Sequence, residues 1–345
     1  MARDAWKSLR FAHSFLRRRL VHVNLQLLYD CNFRCRICDF WGDRYRNTPR
    51  LTAAQVRLAA GKLAALGPMI VSIGGGEPLL HEELPEITRI LAAAHFPVMI
   101  CNGWFVTRER ARELFEAGLY EASVSVDYAD SRRHDAQRGM AGAFDKAVEA
   151  LRILHENRVH PLQRVHMISV IMDDNIDEVE PLIRLAREIG VTYLVTFYSD
   201  GRGNRSRQVS AKEISRRLLE LKARHPDFLA LPGFIDRFGE MEDGGVRPCH
   251  AGRNLLNVDC QGNVTRCIDR LSDPVGNILT DDVVVLRDRL LSSARSDGCG
   301  DCWTSCRGSI ESVMYGRNRL GDLRAYYRMV RPVPLVKDVP GRPAS

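Results

Sequence analysis

Cys31, Cys35 and Cys38 follow one another with C-x3-C-x2-C spacing, tight enough for one loop to turn three thiolates toward one inorganic centre. Iron–sulfur clusters are normally held by cysteine thiolates. Three ligands on a four-iron cluster leave one iron without a protein donor, so that iron is open to a substrate or cofactor. A structural zinc site is usually closed by a fourth ligand and favours repeated C-x2-C pairs, so zinc is the competing reading. Six more thiols, Cys249, Cys260, Cys267, Cys299, Cys302 and Cys306, gather toward the C-terminus. The tenth, Cys101, stands alone, and its bland reading is a small buried hydrophobe.

Elements must position these groups. From residue 20 onward, short β-rich runs alternate with helical stretches. Strands are expected at Val21–Tyr29, Met69–Ile73, Val98–Cys101, Ala122–Asp127, Val165–Ile171 and Tyr193–Phe197. Helices are expected at Leu51–Leu66, Glu82–Ala94, Arg108–Ala117, Phe144–Leu154, Ile176–Ile189 and near Ala211–Ala223, the first capped by Thr52. Six strand–helix pairs in strict order predict an α/β fold of parallel strands wrapped by helices, open or barrel-like. Right-handed crossovers put every strand C-terminus on one rim, where such folds bind ligands. The motifs all follow strands. After the second comes Gly74-Gly75-Gly76-Glu77-Pro78, after the third Cys101-Asn102-Gly103. On the fourth, Ser123, Ser125 and Asp127 share one face. Polar groups facing a lumen are costly unless they meet a ligand or partners. Asn24, Gln26 and His166 are weaker lumen candidates.

With these motifs in place, the chain resembles the radical S-adenosylmethionine (radical SAM) superfamily. The resemblance spans roughly residues 20–310 and implies a partial (β/α)6 TIM-like barrel. It implies a 4Fe-4S cluster on Cys31, Cys35 and Cys38. The open iron would chelate S-adenosylmethionine, whose reductive cleavage yields a 5′-deoxyadenosyl radical that abstracts hydrogen from a C–H bond. Ile37 stands where the family usually has an aromatic residue, and is expected against adenine. By the same resemblance Gly75, Gly76 and Glu77 meet the methionyl ammonium, with Glu77 as charge partner or loop brace. Ser125 or Asp127 is expected near the ribose, and Arg138 on the methionyl carboxylate. Cys101 departs from the family pattern, and a thiol there would be a hydrogen-atom donor. The C-terminal cysteines resemble a SPASM or twitch auxiliary domain. Six thiols cannot ligate two full clusters, so one auxiliary 4Fe-4S cluster is expected on Cys249, Cys267, Cys299 and Cys302. Cys306 is an alternative ligand, Cys260 is spare, and zinc is the alternative metal.

The expected division is a basic amphipathic helix over 1–19, the barrel over 20–240, the auxiliary domain over 245–325 and a loose Pro-rich tail over 331–345. Ser199–Arg207 and Glu240–Gly245 are candidate boundaries. No run of about 18 apolar residues exists, and the alternation after Arg17-Arg18-Arg19 argues against an export signal. A reducing cytoplasm is therefore expected. The net charge of +7 is scattered, with no aromatic-interleaved basic repeat, so no nucleic acid is expected. Trp6, Leu9, Phe15 and Leu16 beside those arginines allow a weak membrane-surface contact. About 20 residues before the first strand are too few for a peptide-recognition domain. That favours a small-molecule, sugar or lipid-linked substrate over a peptide delivered by a partner. A flavodoxin or ferredoxin reductant is expected. The reaction is left open among dehydrogenation, epimerisation and C–C or C–S bond formation. A non-catalytic Fe–S or zinc module is the remaining alternative, and the Gly-Gly-Glu-Pro loop has no role in it.

Overall fold

The computed structural model describes residues 2–199, 210–226, 228–296 and 298–336. Strands β1 (His22–Leu28), β2 (Ile70–Gly75), β3 (Phe96–Cys101), β4 (Glu121–Ser125), β5 (Arg164–Ile171) and β6 (Thr192–Phe197) are neighbours in chain order, all parallel. Between them run α2 (Ala53–Leu66), α3 (Leu84–Ala92), α4 (Arg108–Glu116), α5 (Ser131–Arg138), α6 (Ala143–Glu156) and α7 (Val179–Ile189). The expected α/β partial barrel is thus the architecture. Its alternation follows from the sequence. Val23, Leu25 and Leu27 of β1, Val71 and Ile73 of β2, and Met99 of β3 all join the apolar layer shared with the helices. Their neighbours His22, Asn24, Gln26 and Ser72 occupy the opposite face. Thr52 caps α2 in a reciprocal box with Gln55, and Val56, Ala59, Ala60 and Leu63 press that helix onto the sheet.

An α-helix that apolar periodicity did not reveal is α5. Its sequence, Ser-Arg-Arg-His-Asp-Ala-Gln-Arg, carries no apolar stripe. Local signals define it instead: Asp130 accepts from the Arg133 amide at 2.8 Å, and Gly139 closes it at φ +63°.

Beyond the barrel come α8 (Ala211–Arg224), α9 (Pro232–Asp236), β7 (Leu255–Val258), β8 (Asn263–Thr265) and β9 (Gly276–Asn277). Helices α10 (Val283–Ser296), α11 (Ser305–Tyr315) and α12 (Arg319–Val330) follow, and α1 (Ala2–Leu16) precedes β1. The sheet runs on through the boundary expected at residues 240–245. β7 pairs in parallel with β1, His22 opposite Leu255 and Asn24 opposite Asn257, and β8 and β9 add antiparallel. Residues 331–336 of the expected tail are tied down: Arg158 donates to the carbonyls of Val333 (3.2 Å) and Pro334 (2.7 Å), and Leu335 is buried. Residues 200–207 of one candidate boundary and 337–345 of the tail lie outside the described residues. Among the described residues no helix is long and apolar enough to cross a membrane.

Candidate cluster and cofactor sites

The loop carrying Cys31, Cys35 and Cys38 leaves the C-terminal end of β1 and is held by backbone at both sides. The Arg34 and Arg36 amides donate to the Arg138 (3.2 Å) and Gln137 (3.0 Å) carbonyls at the end of α5. The Trp41 indole N–H donates to the Cys35 carbonyl at 3.1 Å, and the Phe33 amide to Cys31 Sγ at 3.5 Å. Gly139 must be glycine, since a Cβ there would stand 2.6 Å from the Arg34 carbonyl oxygen. The thiols pack together with Phe33, Ile37, Trp104 and Met140. Burial pushes the Cys31 thiol up to about 12, and the neighbouring Glu77, Cys35 and Cys38 add to it. Burial also raises Cys35, against the Arg138 guanidinium beside it. Thiols crowded this way are costly to ionise one by one, and a cationic centre binding all three removes that cost. The donor set fits a thiolate-held cluster.

The Gly-Gly-Glu-Pro loop runs hard against this one. The Gly76 amide donates to the Leu28 carbonyl (2.7 Å) and the Glu77 amide to that of Asp30 (2.9 Å). Added Cβ atoms would lie 2.1 Å from the Leu28 oxygen at Gly75 (φ +114°) and 2.0 Å from the Asp30 oxygen at Gly76, so both glycines are steric requirements. Glu77 is buried, and its two oxygens accept from the amides of Leu79 (3.1 Å) and Asn102 (2.8 Å). It therefore braces the loop to the end of β3. Burial raises its carboxyl to about 7, against those two hydrogen bonds. Asn102 extends the brace, donating to Asn32 Oδ1 at 2.8 Å. Nothing in the Cys101-Asn102-Gly103 sequence signals this role, which depends on a contact with the distant Glu77.

Asp127 and Arg138 meet. Their side chains form a buried ion pair, 2.7 Å between Oδ2 and Nη2. Asp127 Oδ1 accepts from the Val170 amide at 2.9 Å, and its own amide donates to His134 Nδ1 at 3.1 Å. Burial disfavours the Arg138 cation, but Asp127 and the Cys35 thiol outweigh it and raise its pKa. Arg138 thus places a lasting positive charge between the cluster loop and β4. With its oxygens so engaged, Asp127 has little left to offer a further ligand, whereas Ser125 stands half-buried at the end of β4. Ile37 packs against Tyr128, Met172 and Tyr198; the two tyrosines were not anticipated, and only their position just after strands could have pointed to them. A cavity of about 300 Å3 beside the loop is walled by Tyr29, Arg34, Phe40, Trp41 and Tyr45.

Cys101 is turned away from this chemistry. It lies opposite Val124 in the sheet and joins the apolar layer with Met99 and Val124. Strand alternation puts it on the helix-facing side, a placement that favours the bland reading over a hydrogen-donor role. His166 is similarly occupied, with Glu121 3.3 Å from Nε2 and the Thr192 hydroxyl on Nδ1. In the lumen, Asn24 Nδ2 and Gln26 Oε1 are buried without a hydrogen-bond partner, and Gln26 Nε2 donates to Asn257 Oδ1 at 3.3 Å.

Cys249, Cys267, Cys299, Cys302 and Cys306 all line one cavity of about 290 Å3, which Asn24, Arg270 and Arg307 also wall. Cys260 stays outside it, buried against Tyr29 and Phe40. Burial lifts the Cys267 thiol to about 12 and raises Cys249 and Cys302, with Arg307 opposing in the last two. Arg307 is fixed by the carbonyls of Cys302 and Val246 (2.6 Å each) and by Glu311 (3.0 Å). Arg270 Nη2 reaches Cys299 Sγ at 3.8 Å. Among the described residues no three ligand side chains already stand in metal-binding geometry; the thiols share a cavity whose donors and cations suit an iron–sulfur centre.

Residues 25–186 match the radical SAM superfamily. The mycofactocin maturase MftC of Mycolicibacterium smegmatis is 30% identical over 310 residues, 84% of this chain and 78% of that protein. The AdoMet-dependent heme synthase of Methanosarcina barkeri is 31% identical over 194 residues, 55% of this chain; the chain spans only about half, 54%, of that relative. Streptococcus suis SuiB bound to its precursor peptide SuiA shares the fold, with TM-score 0.68 and 13% identity over 85% of this chain and 71% of its own. On the strength of the cysteine loop, the Gly-Gly-Glu-Pro brace and a relative matched over most of both lengths, this chain belongs to the radical SAM superfamily and is a radical SAM enzyme.

Proposed function

We infer that this enzyme is a maturase that abstracts a hydrogen atom from a ribosomally made peptide. The observation that carries this reading is the extent of the similarity to the MftC maturase, which takes in 84% of the chain. The heme-synthase similarity takes in only 55%. The expectation of a small-molecule, sugar or lipid-linked substrate rested on the short stretch before the first strand, and a peptide presented by a separate partner meets that point. In this reading Cys31, Cys35 and Cys38 hold the 4Fe-4S cluster, with Arg138 beside it. Gly75 and Gly76 offer close backbone approach to the methionyl end of S-adenosylmethionine while Glu77 braces their loop. Ile37 supports the adenine and Ser125 the ribose. Bound together, the cluster and S-adenosylmethionine supply one-electron chemistry that ends in hydrogen abstraction. Asn24 and Gln26, with open hydrogen-bonding capacity in the lumen, would meet the peptide backbone. We assign the auxiliary 4Fe-4S cluster to the cavity of residues 245–325, on Cys249, Cys267, Cys299 and Cys302, with Cys306 in reserve. A flavodoxin- or ferredoxin-type donor would supply the electron.

The test is anaerobic reconstitution with dithionite, S-adenosylmethionine and candidate precursor peptides encoded beside the gene. 5′-Deoxyadenosine should form, and deuterium from labelled peptide should enter it. A Cys35→Ala protein should form none. Transfer from a small metabolite with none from any peptide would refute the maturase reading while leaving the enzyme class intact.

A further inference from the structure

The strands begin at the end of the barrel opposite the cluster loops, and two helices lie across that end. Helix α1 packs there through Phe11, edge-on to Phe96 at the start of β3 (5.5 Å). Lys7 Nζ donates to the carbonyls of Ala92 (3.1 Å) and His95 (3.2 Å). Helix α12 is held by Arg164, at the start of β5, which donates to the Met329 carbonyl at 2.9 Å. The two helices touch: Phe15 and Tyr326 stack at 6.3 Å. These contacts use one face of each helix.

The other faces are apolar where solvent should favour polar groups. Trp6 is 64%, Leu9 64% and Leu16 80% exposed on α1; Leu320 is 77%, Leu323 52% and Tyr327 70% exposed on α12. Twelve large hydrophobics are exposed among the described residues, and these six are half of them. Val159 and Leu162, in the turn before β5, add two more at the same end, joined to it where the Val333 amide donates to the Pro161 carbonyl at 2.9 Å. A patch of this kind marks a binding surface. Its fringe is basic: Arg10, Arg17, Arg18 and Arg19 are exposed beside α1, and Arg319, Arg324, Arg328 and Arg331 along and after α12. The sequence of α1 holds one acid, Asp4, and that of α12 one, Asp322, which is buried and accepts from the Gly233 amide at 2.8 Å.

We propose that the outer face of α1 and α12 docks on an anionic lipid bilayer. Trp, Tyr and Leu flanked by arginines form the composition that settles at the boundary of headgroups and acyl chains. A helix of 15 residues, about 22 Å long, is too short to span and lies in the plane. A second copy of the chain is the poorer occupant, because it would press arginine fringe against arginine fringe while the one carboxylate of α12, Asp322, is buried and already engaged by the Gly233 amide. Docked this way, the strand C-termini and the loop of Cys31, Cys35 and Cys38 face away from the membrane, open to substrate, while Cys249 and Cys267 share an apolar cluster with Phe11 and Phe15 on the inner face of α1.

The test is co-sedimentation of the anaerobic holoenzyme with vesicles of phosphatidylcholine alone or with about one-third phosphatidylglycerol. The full chain should bind the anionic vesicles at least ~10-fold better than the neutral ones and release at about 0.5 M salt. A Trp6→Ser/Leu9→Ser/Leu320→Ser/Leu323→Ser protein should lose about 10-fold of that binding, with iron content and S-adenosylmethionine cleavage unchanged. An Arg17→Gln/Arg19→Gln/Arg324→Gln/Arg328→Gln protein should lose the preference for anionic vesicles. Failure of the full chain to bind anionic vesicles overturns the proposal. So does binding unaltered in both variants, or a dimer in sedimentation that the first variant dissolves without any vesicle binding.

Discussion

Gly76 has no room for a side chain: a Cβ would sit 2.0 Å from the Asp30 carbonyl oxygen, a backbone atom of the cysteine loop. Gly76→Ala should therefore move the loop itself, costing about 2–4 kcal/mol in urea unfolding and lowering iron retention. An alanine at Gly142, where nothing crowds the added atom but φ is +78°, should cost only about 1 kcal/mol and leave iron content alone. Cys101 supplies the complementary case. Its thiol belongs to the apolar layer, so Cys101→Ala should lose about 1–2 kcal/mol of stability and still form 5′-deoxyadenosine and product. Loss of product with stability intact would restore the hydrogen-donor role. Neither position differs from its neighbours in local sequence; what separates them is the atom each one faces across the fold.

Among the elements, the buried histidines tie the barrel to pH. His22 at the start of β1 is lowered to about 4 by burial, with Asn24 and Glu121 opposing, and meets the Ser72 hydroxyl of β2 at 2.9 Å. His134 of α5 is lowered to about 3, by burial and then by Arg138. Burial also lowers His81 and His95. In each case the folded pKa lies below the unfolded value near 6.5, so the unfolded chain binds more protons. The stability from keeping these rings neutral is present above pH 6.5 and is lost as pH falls toward 4. Between pH 7.5 and 5, His22 and His134 should each withdraw about 2 kcal/mol, read as a falling urea midpoint. A midpoint flat over that interval would show that the rings are not held neutral. Helix α5 also marks the limit of periodicity as a guide. It was missed because it has no apolar stripe, yet it delivers Arg138 and His134 to the site.

For the molecule as a whole, the C-terminal cysteines are legible as a group but not as a ligand set. The cavity takes in Cys249, Cys267, Cys299, Cys302 and Cys306 and leaves Cys260 against Tyr29 and Phe40. Reconstituted protein should hold about eight irons, two four-iron clusters. Cys302→Ala should hold about four, while Cys260→Ala should keep the full content at a modest cost in stability. Iron content unaffected by Cys302→Ala and halved by Cys260→Ala would reverse the assignment. The continuous sheet adds a coupling, since β7 covers the edge of β1 from which the cysteine loop departs.

Spacing and order along the chain were enough to identify the cysteine triplet, the strand–helix alternation, the Gly-Gly-Glu-Pro turn and the enzyme class. Ligand spacing on one loop, side-chain period and steric freedom at glycine are properties of consecutive residues, so they survive in a bare string. Other features depend on which distant segments meet: the Asp127–Arg138 pair beside Cys35, Glu77 gripping the end of β3, Cys101 facing the helices, and Cys260 outside the auxiliary cavity. Those contacts join residues brought together only when six strands close side by side and β7 returns to β1, and register and packing, not local sequence, decide them.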